Sequence, residues 1–245
     1  MDIKNGLLYS TVIGVALSGF SIAALAGTQD IMFANNQAGI HVSSQDVDYG
    51  ETYQGVLLDT ENGKVPGFGL SASVMKNLWL GNDYLQVQYD HADGKTDYVG
   101  SYSGGTYGSL VAQSGAKLND FSMRYGKGYV VSNSLMITPY GELGYHKWDR
   151  NVGDGIPGGY MEQYIHKYYG VGLMGQYSPV SKLVLTANAM IGHTFGTYFS
   201  ADLPPPDAFS ADLGTSVIYK AGIAADFAIT RAVHVNMSAD YTRWD

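Results

Sequence analysis

Apolar and polar residues alternate one for one along most of this chain, the period of strands whose two faces meet unlike surroundings. In 84–90, Leu85, Val87 and Tyr89 alternate with Gln86, Gln88 and Asp90. In 119–125, Phe121, Met123 and Tyr125 alternate with Asp120, Ser122 and Arg124. The same period runs through 66–75, 135–147, 164–177, 183–197, 215–229 and 233–244. A soluble sandwich would alternate too, so the content of each face decides. Here the non-apolar face is mostly Gly, Ser, Thr, Asn and Gln with isolated charges, which suits the interior of a narrow barrel whose other face meets lipid. Runs of about 11 to 16 residues exceed the ordinary globular strand and cover the roughly 9–11 needed to cross a bilayer at a tilt.

The connections alternate in length: 76–82, 128–134, 178–182 and 230–232 are short, whereas 93–117, 149–162 and 199–213 are long. Short periplasmic turns and long external loops are the habit of outer-membrane barrels, and a closed barrel is the only sheet that satisfies its backbone in lipid. The expected fold is therefore an all-β, antiparallel, up-and-down transmembrane barrel. With 76–82 inside, 66–75 runs down from the surface and 37–44 must carry the chain up before it, which makes 45–64 the first external loop. That counts nine strands, the ninth ending outside. Closure then asks for a tenth, downward strand between 37–44 and 233–244, and the expectation is a gap one strand wide there, with the barrel domain C-terminally incomplete. The alternative is eight strands, with 27–60 outside the wall.

Residues 1–26 read as an export leader followed by the barrel domain over 27–245. Lys4 gives a short positive start, 6–25 carry no charge, and Ala24-Leu25-Ala26 fits a cleavage site ahead of Gly27. A single membrane anchor is the alternative for that run. On this reading the mature chain works in the outer membrane.

Composition narrows the function. Charged residues are only 15% of the chain, against roughly 25% in soluble proteins. The 32 Gly and 20 Tyr fit a sheet with close backbone approaches and amphipathic aromatic surface. The net charge of −8 argues against nucleic acid. Zero Cys excludes disulfides, thiolate metal sites and Cys nucleophiles. Together with the leader and the Gly/Tyr-rich strands, phrases such as Lys220-Ala221-Gly222-Ile223-Ala224-Ala225-Asp226 and Ala239-Asp240-Tyr241-Thr242-Arg243 resemble the outer-membrane β-barrel families of Gram-negative bacteria. The resemblance covers the whole chain after the leader and speaks to architecture. It implies outer-membrane lipids and lipopolysaccharide as surroundings and a monomer as the working form.

Catalytic motifs are absent. Gly94-Lys95-Thr96 lacks the earlier Gly of a phosphate loop, and the six His are dispersed, with His193 on the outward face. No cofactor or metal set is legible. Ten-strand barrels include the surface proteases called omptins, which need Asp and His facing each other at the outer rim; Asp90–His91, His146–Asp149 and His166 are the candidates here. The stronger signal is a set of charges on the polar face: Asp90, Asp120, Arg124, Glu142, Lys220, Asp226 and Asp240. They predict either a salt-bridge network that fills the lumen or a narrow cation-leaning pore. The four external stretches, 46–64 among them, hold 13 acids against 4 bases, so acidic loops that attract divalent cations are also expected. The reading is a barrel of structural or surface-interaction role, with a narrow pore and a surface hydrolase as alternatives.

Overall fold

The computed structural model describes residues 2–3, 6–18, 27–102, 104–203 and 208–244. Strands β1 (Asp2–Ile3) and β2 (Gly6–Ser18) precede helix α1 (Thr28–Ala34). There follow β3 (Gln37–Tyr53), β4 (Val56–Lys76), β5 (Asp83–Gly100), β6 (Leu110–Lys127) and β7 (Tyr129–Ser132). The rest are β8 (Leu135–Val152), β9 (Tyr160–Val180), β10 (Leu183–Asp202), β11 (Phe209–Asp212), β12 (Val217–Ala228) and β13 (Val233–Trp244). Strands β2, β3, β4, β5, β6, β8, β9, β10, β12 and β13 pair antiparallel in a closed ring; β1, β7 and β11 are short additions to it. The fold is the expected antiparallel barrel.

Two expectations about the wall need correction. The gap between 37–44 and 233–244 is not there, because β2 fills it. Val15 lies opposite Ile40 on one side and Val235 on the other, so β2 is antiparallel to both neighbours. Strand parity did require one downward strand in this seat, but it comes from the N-terminal segment. The eight-strand count fails too, since 37–53 lies in the wall. The apolar run of the leader suits a strand as well as a leader: Thr11, Ile13 and Val15 are exposed, while Gly14 and Ala16 are buried. A Cβ on Gly14 would stand 2.9 Å from the Cβ of His41, so a small residue is needed beside β3. The cleavage pattern at 24–26 lies outside the described residues.

The long loops shrink as well. Residues 45–64 form a continuous hairpin whose tip is Gln54-Gly55, both at positive φ (50° and 80°), the backbone of a two-residue hairpin turn. Most of 93–117, half of 149–162 and all of 199–202 are likewise strand. Strands β3 to β6 and β8 to β10 therefore stand well above the membrane. On β8 the outward positions run Ile137, Leu143, Tyr145 and then Lys147 and Asp149. On β4, Phe68, Leu70 and Val74 lie between Lys64 and Lys76. The apolar band is thus about nine residues tall, enough to cross the hydrocarbon core. Above it the faces invert, with charges outside and an apolar cluster of Val47, Tyr49, Val65, Leu118, Trp148, Tyr164 and Phe199 within.

The abundance of Gly and Tyr has a packing cause. Tyr140 is directly opposite Gly172, and Tyr168 directly opposite Gly144, across β8 and β9. Each ring lies over the partner glycine, in the space a Cβ would occupy. Glycine on the lumen face is therefore room for a neighbour's ring.

Two measurements follow. A chain starting at Gly27 leaves β3 and β13 unpaired in lipid, where each orphaned backbone group costs several kcal/mol. It is expected to refold in detergent with a clearly lower melting temperature than the full chain; equal melting would show that 6–18 adds nothing to the wall. For the faces, Leu173→Arg on the lipid side should cost about 2–4 kcal/mol. Gly172→Ala should cost about 1–3 kcal/mol through overpacking, and that loss should shrink in a Tyr140→Ala background to what the Ala189 carbonyl, 2.6 Å from the same Cβ, still imposes. Additive effects would mean that the ring does not pack on Gly172.

Candidate functional site in the barrel interior

All seven charges expected in the lumen face it, but they form separate groups. The central one is built on Glu142, which is 2% exposed. Arg124 Nε donates to its Oε2 at 2.6 Å, and Lys220 Nζ donates to its Oε1 at 2.6 Å. Tyr168 donates its hydroxyl to Oε1 at 2.9 Å and accepts from Lys220 at 2.9 Å. Arg124 also lies over the Tyr140 ring, 5.1 Å from its centroid. Strands β6, β8, β9 and β12 contribute, so the group spans the lumen rather than lining one wall. Two cations on one carboxylate are what make a charge at membrane depth tolerable.

Three of the remaining acids are held by histidines. His41 Nε2 meets Asp90 Oδ1 at 2.6 Å, His146 Nδ1 meets Asp120 Oδ1 at 2.7 Å, and His234 Nδ1 meets Asp226 Oδ1 at 2.7 Å. Gln88 and Gln37 add donors to Asp90 and Asp226, at 2.8 and 3.0 Å. Asp240 accepts from Ser238 at 3.1 Å. These histidines were scattered in sequence, yet parity places His41, His146 and His234 on the inward face. A search for metal-ligand spacing overlooks pairs made across strands.

The interior is obstructed at two levels. At the inner mouth, α1 turns into the barrel and buries Ile31 completely among Met75, Met136, Met174 and Met190. Asn35 and Gln176 exchange two hydrogen bonds, at 2.7 and 2.9 Å. Ser178 donates to Asp30 at 3.2 Å, and the backbone N–H of Thr28 donates to the Asn133 carbonyl at 2.6 Å. At the outer end, Arg150 is 0% exposed. Its guanidinium contacts Glu61, reaches Glu162 at 2.8 Å and Asp59 at 3.4 Å, and faces the rings of Tyr49, Tyr98 and Trp148. Between these two layers lies a polar chamber of about 270 Å³ lined by Gln88, Asp90, Arg124, Asn188, Lys220 and Asp240 among others.

The outer layer corrects the expectation of uniformly acidic loops. Glu51, Asp59, Glu61 and Glu162 were counted as loop acids, and all four are buried around Arg150. Three of these carboxyls contact the one guanidinium, and Glu51 lies beside them, accepting from the Tyr49 hydroxyl at 3.3 Å. Burial, with Asp59 and Glu162 nearby, pushes the Glu51 carboxyl up to about 7. Burial also raises Asp59 and the hydroxyls of Tyr49 and Tyr164. Nothing in the sequence distinguished these acids from solvated ones except strand parity continued past the membrane boundary.

The rim pairs expected of a hydrolase do not assemble. Neighbours in a strand face opposite ways, so Asp90 turns inward to His41 while His91 turns outward to Asn119, at 2.9 Å. His146 faces the lumen, whereas Asp149 pairs outside with Lys147 at 2.9 Å. His166 sits beside His146 and Trp244, with ring centroids 6.0 and 5.1 Å away. Among the described residues no group of three His, Asp or Glu is placed to hold a metal ion.

No protein-family model and no curated protein matches the chain. Among solved structures it is similar to the outer membrane protease OmpT from Escherichia coli, with TM-score 0.47 and 8% identity over 99% of this chain and 94% of that one. The β domain of the Bordetella autotransporter BrkA gives 0.42 and 12%, covering 99% of both chains. The translocator domain of the autotransporter NalP from Neisseria meningitidis gives 0.40 and 12%, over 99% and 88%. At such identity none of them transfers an activity to this chain.

Two outcomes test the outer layer. Arg150→Met should destabilise the barrel by about 3–5 kcal/mol, because it strands buried carboxylates. Glu51 has a folded value raised above its ordinary one, so its contribution is complete below about 4.5 and is lost as pH rises through about 7. Thermal unfolding should therefore show stability falling between pH 5 and 8, with a flatter profile in Glu51→Gln. Identical profiles would place Glu51 in solvent.

Proposed function

We propose that the chain is an outer-membrane barrel with a closed lumen, acting as a wall and surface element rather than as a conduit. The observation that carries this is the double obstruction, with α1 and its methionine bed at the inner mouth and the Arg150 layer at the outer one. The tall outer half, which carries charges outside together with exposed Val56, Val111 and Phe209 and is firmly packed within, supports a role in contact with the exterior. The outer-membrane location rests on the apolar band and on the closed ring, which are what a lipid bilayer demands of a sheet. Lipopolysaccharide and other lipids are its surroundings and a monomer is its working form, since the ring needs no second chain for closure. Divalent cations would meet only the acids still exposed, such as Asp48, Asp93 and Asp97.

A narrow cation-leaning pore is the second reading, and the polar chamber between the two layers is what favours it. Planar bilayers separate the two. With insertion verified by heat-modifiable mobility, the closed barrel is expected to give no discrete steps. Regular cation-selective steps would overturn the proposal.

A further inference from the structure

Most charges of the polar chamber are matched within the wall. Arg124 and Lys220 are taken by Glu142, and Asp90, Asp120 and Asp226 are held by histidines. Asp240 is the exception. Its Oδ2 accepts from Ser238 at 3.1 Å, and it forms no ion pair among the described residues. The register sets Asp240 in the middle of a row. Gln45 of β3 and Asp240 of β13 lie on either side of Ser10 of β2, and Gly222 of β12 separates Asp240 from Asn188 of β10. Interstrand spacings of roughly 4.8 Å put Gln45 and Asn188 about 10 Å to each side of Asp240 along the wall.

The polar groups of this row are left open toward the chamber. Asp240 Oδ1 and Asn188 Nδ2 both stand in the space a Cβ on Gly222 would fill. Gln45 lines the chamber, is 5% exposed, and its Oε1 has no hydrogen-bond partner among the described residues. Trp244, on the same face of β13 as Asp240, lines it too, and its Nε1 has no partner among those residues either. A buried polar atom without a partner is costly, so these groups call for one. Their chemistry is mixed: Asp240 Oδ1 and Gln45 Oε1 accept, whereas Asn188 Nδ2 and Trp244 Nε1 donate. An ammonium only donates and an ionised carboxylate only accepts, but a hydroxyl does both. A hydroxylated guest therefore serves all four groups. The chamber of about 270 Å³ lies just under the roughly 300 Å³ at which small-molecule pockets begin, which is room for one small ring. Ala34 of α1 and the following Asn35 line its inner side, so the plug of the lumen also closes this site.

We infer that the chamber holds a neutral polyol of monosaccharide size, with adjacent hydroxyls on Asp240 and Asn188 and others on Gln45 and Trp244. The inference rests on the closed-lumen reading above: obstructed at both ends, the chamber encloses a guest rather than passing it on. The full chain is refolded in detergent with tritiated glucose, galactose or myo-inositol, and excess label is removed by gel filtration. Label per folded barrel is then counted, with folding verified by heat-modifiable mobility. The wild type should retain at least one of the three at about one per barrel. D240A/N188A should retain about tenfold less or lower, the loss expected when a hydrogen bond to a charged group is removed. Q45L, which keeps the side-chain bulk and removes the acceptor, should retain several-fold less, and K64Q/K95Q on the outer surface should match the wild type. Labelled ethanolamine and acetate, which carry single charges, should be lost. Unchanged retention in D240A/N188A and Q45L, retention of ethanolamine or acetate in place of the polyols, or no polyol held by the folded wild type would each overturn the inference. Conductance steps from the same preparation would instead overturn the closed-lumen reading.

Discussion

Every backbone donor and acceptor at membrane depth must find a partner within the protein, because hydrocarbon offers none. A sheet meets that requirement only by closing on itself. The rest of the structure follows from closure. It fixes the direction of each strand, gives the segment 6–18 its place between β3 and β13, and commits one face of every strand to the interior. Once the ring is closed, an inward residue has nowhere to go but the lumen, so its chemistry must be matched there.

That matching takes two forms. Large inward side chains are accommodated by glycines on adjacent strands, as Tyr140 is by Gly172 and Tyr168 by Gly144. Inward charges are matched by opposite charge or by histidine: Glu142 by Arg124 and Lys220, Asp90 by His41, Asp120 by His146, and Asp226 by His234. Both devices join residues far apart in sequence but adjacent in register or across the lumen. The same packing that makes a polar interior stable leaves little of it open.

Above the membrane the requirement reverses. Water now surrounds the wall, and the interior fills like that of a soluble protein, with Trp148, Tyr164 and Phe199 around a buried arginine. Burial first, and then the neighbouring Asp59 and Glu162 carboxyls, are why Glu51 holds its proton to about 7 in the Arg150 layer. An ion group of this kind adds specificity of arrangement more readily than stability. It fixes the tall strands β3, β4, β8 and β9 relative to one another at the point where lipid no longer confines them.

The alternation of residues determined the architecture by itself. Period two set the strands, the content of the faces set which side meets lipid, and parity demanded a downward strand between 37–44 and 233–244. The seven lumen charges were legible for the same reason, since side-chain direction in a strand is a local property. What the sequence could not decide depends on contacts across strands. An apolar, uncharged run such as 6–18 suits a leader and a wall strand equally, and only pairing with His41 and Met237 on its two sides places it in the ring. Acids such as Glu61 and Glu162 read as loop residues until the strands are seen to continue past the membrane and to converge on Arg150. Burial of a charge is settled by its neighbours in space, and those are set by register, which no single strand contains.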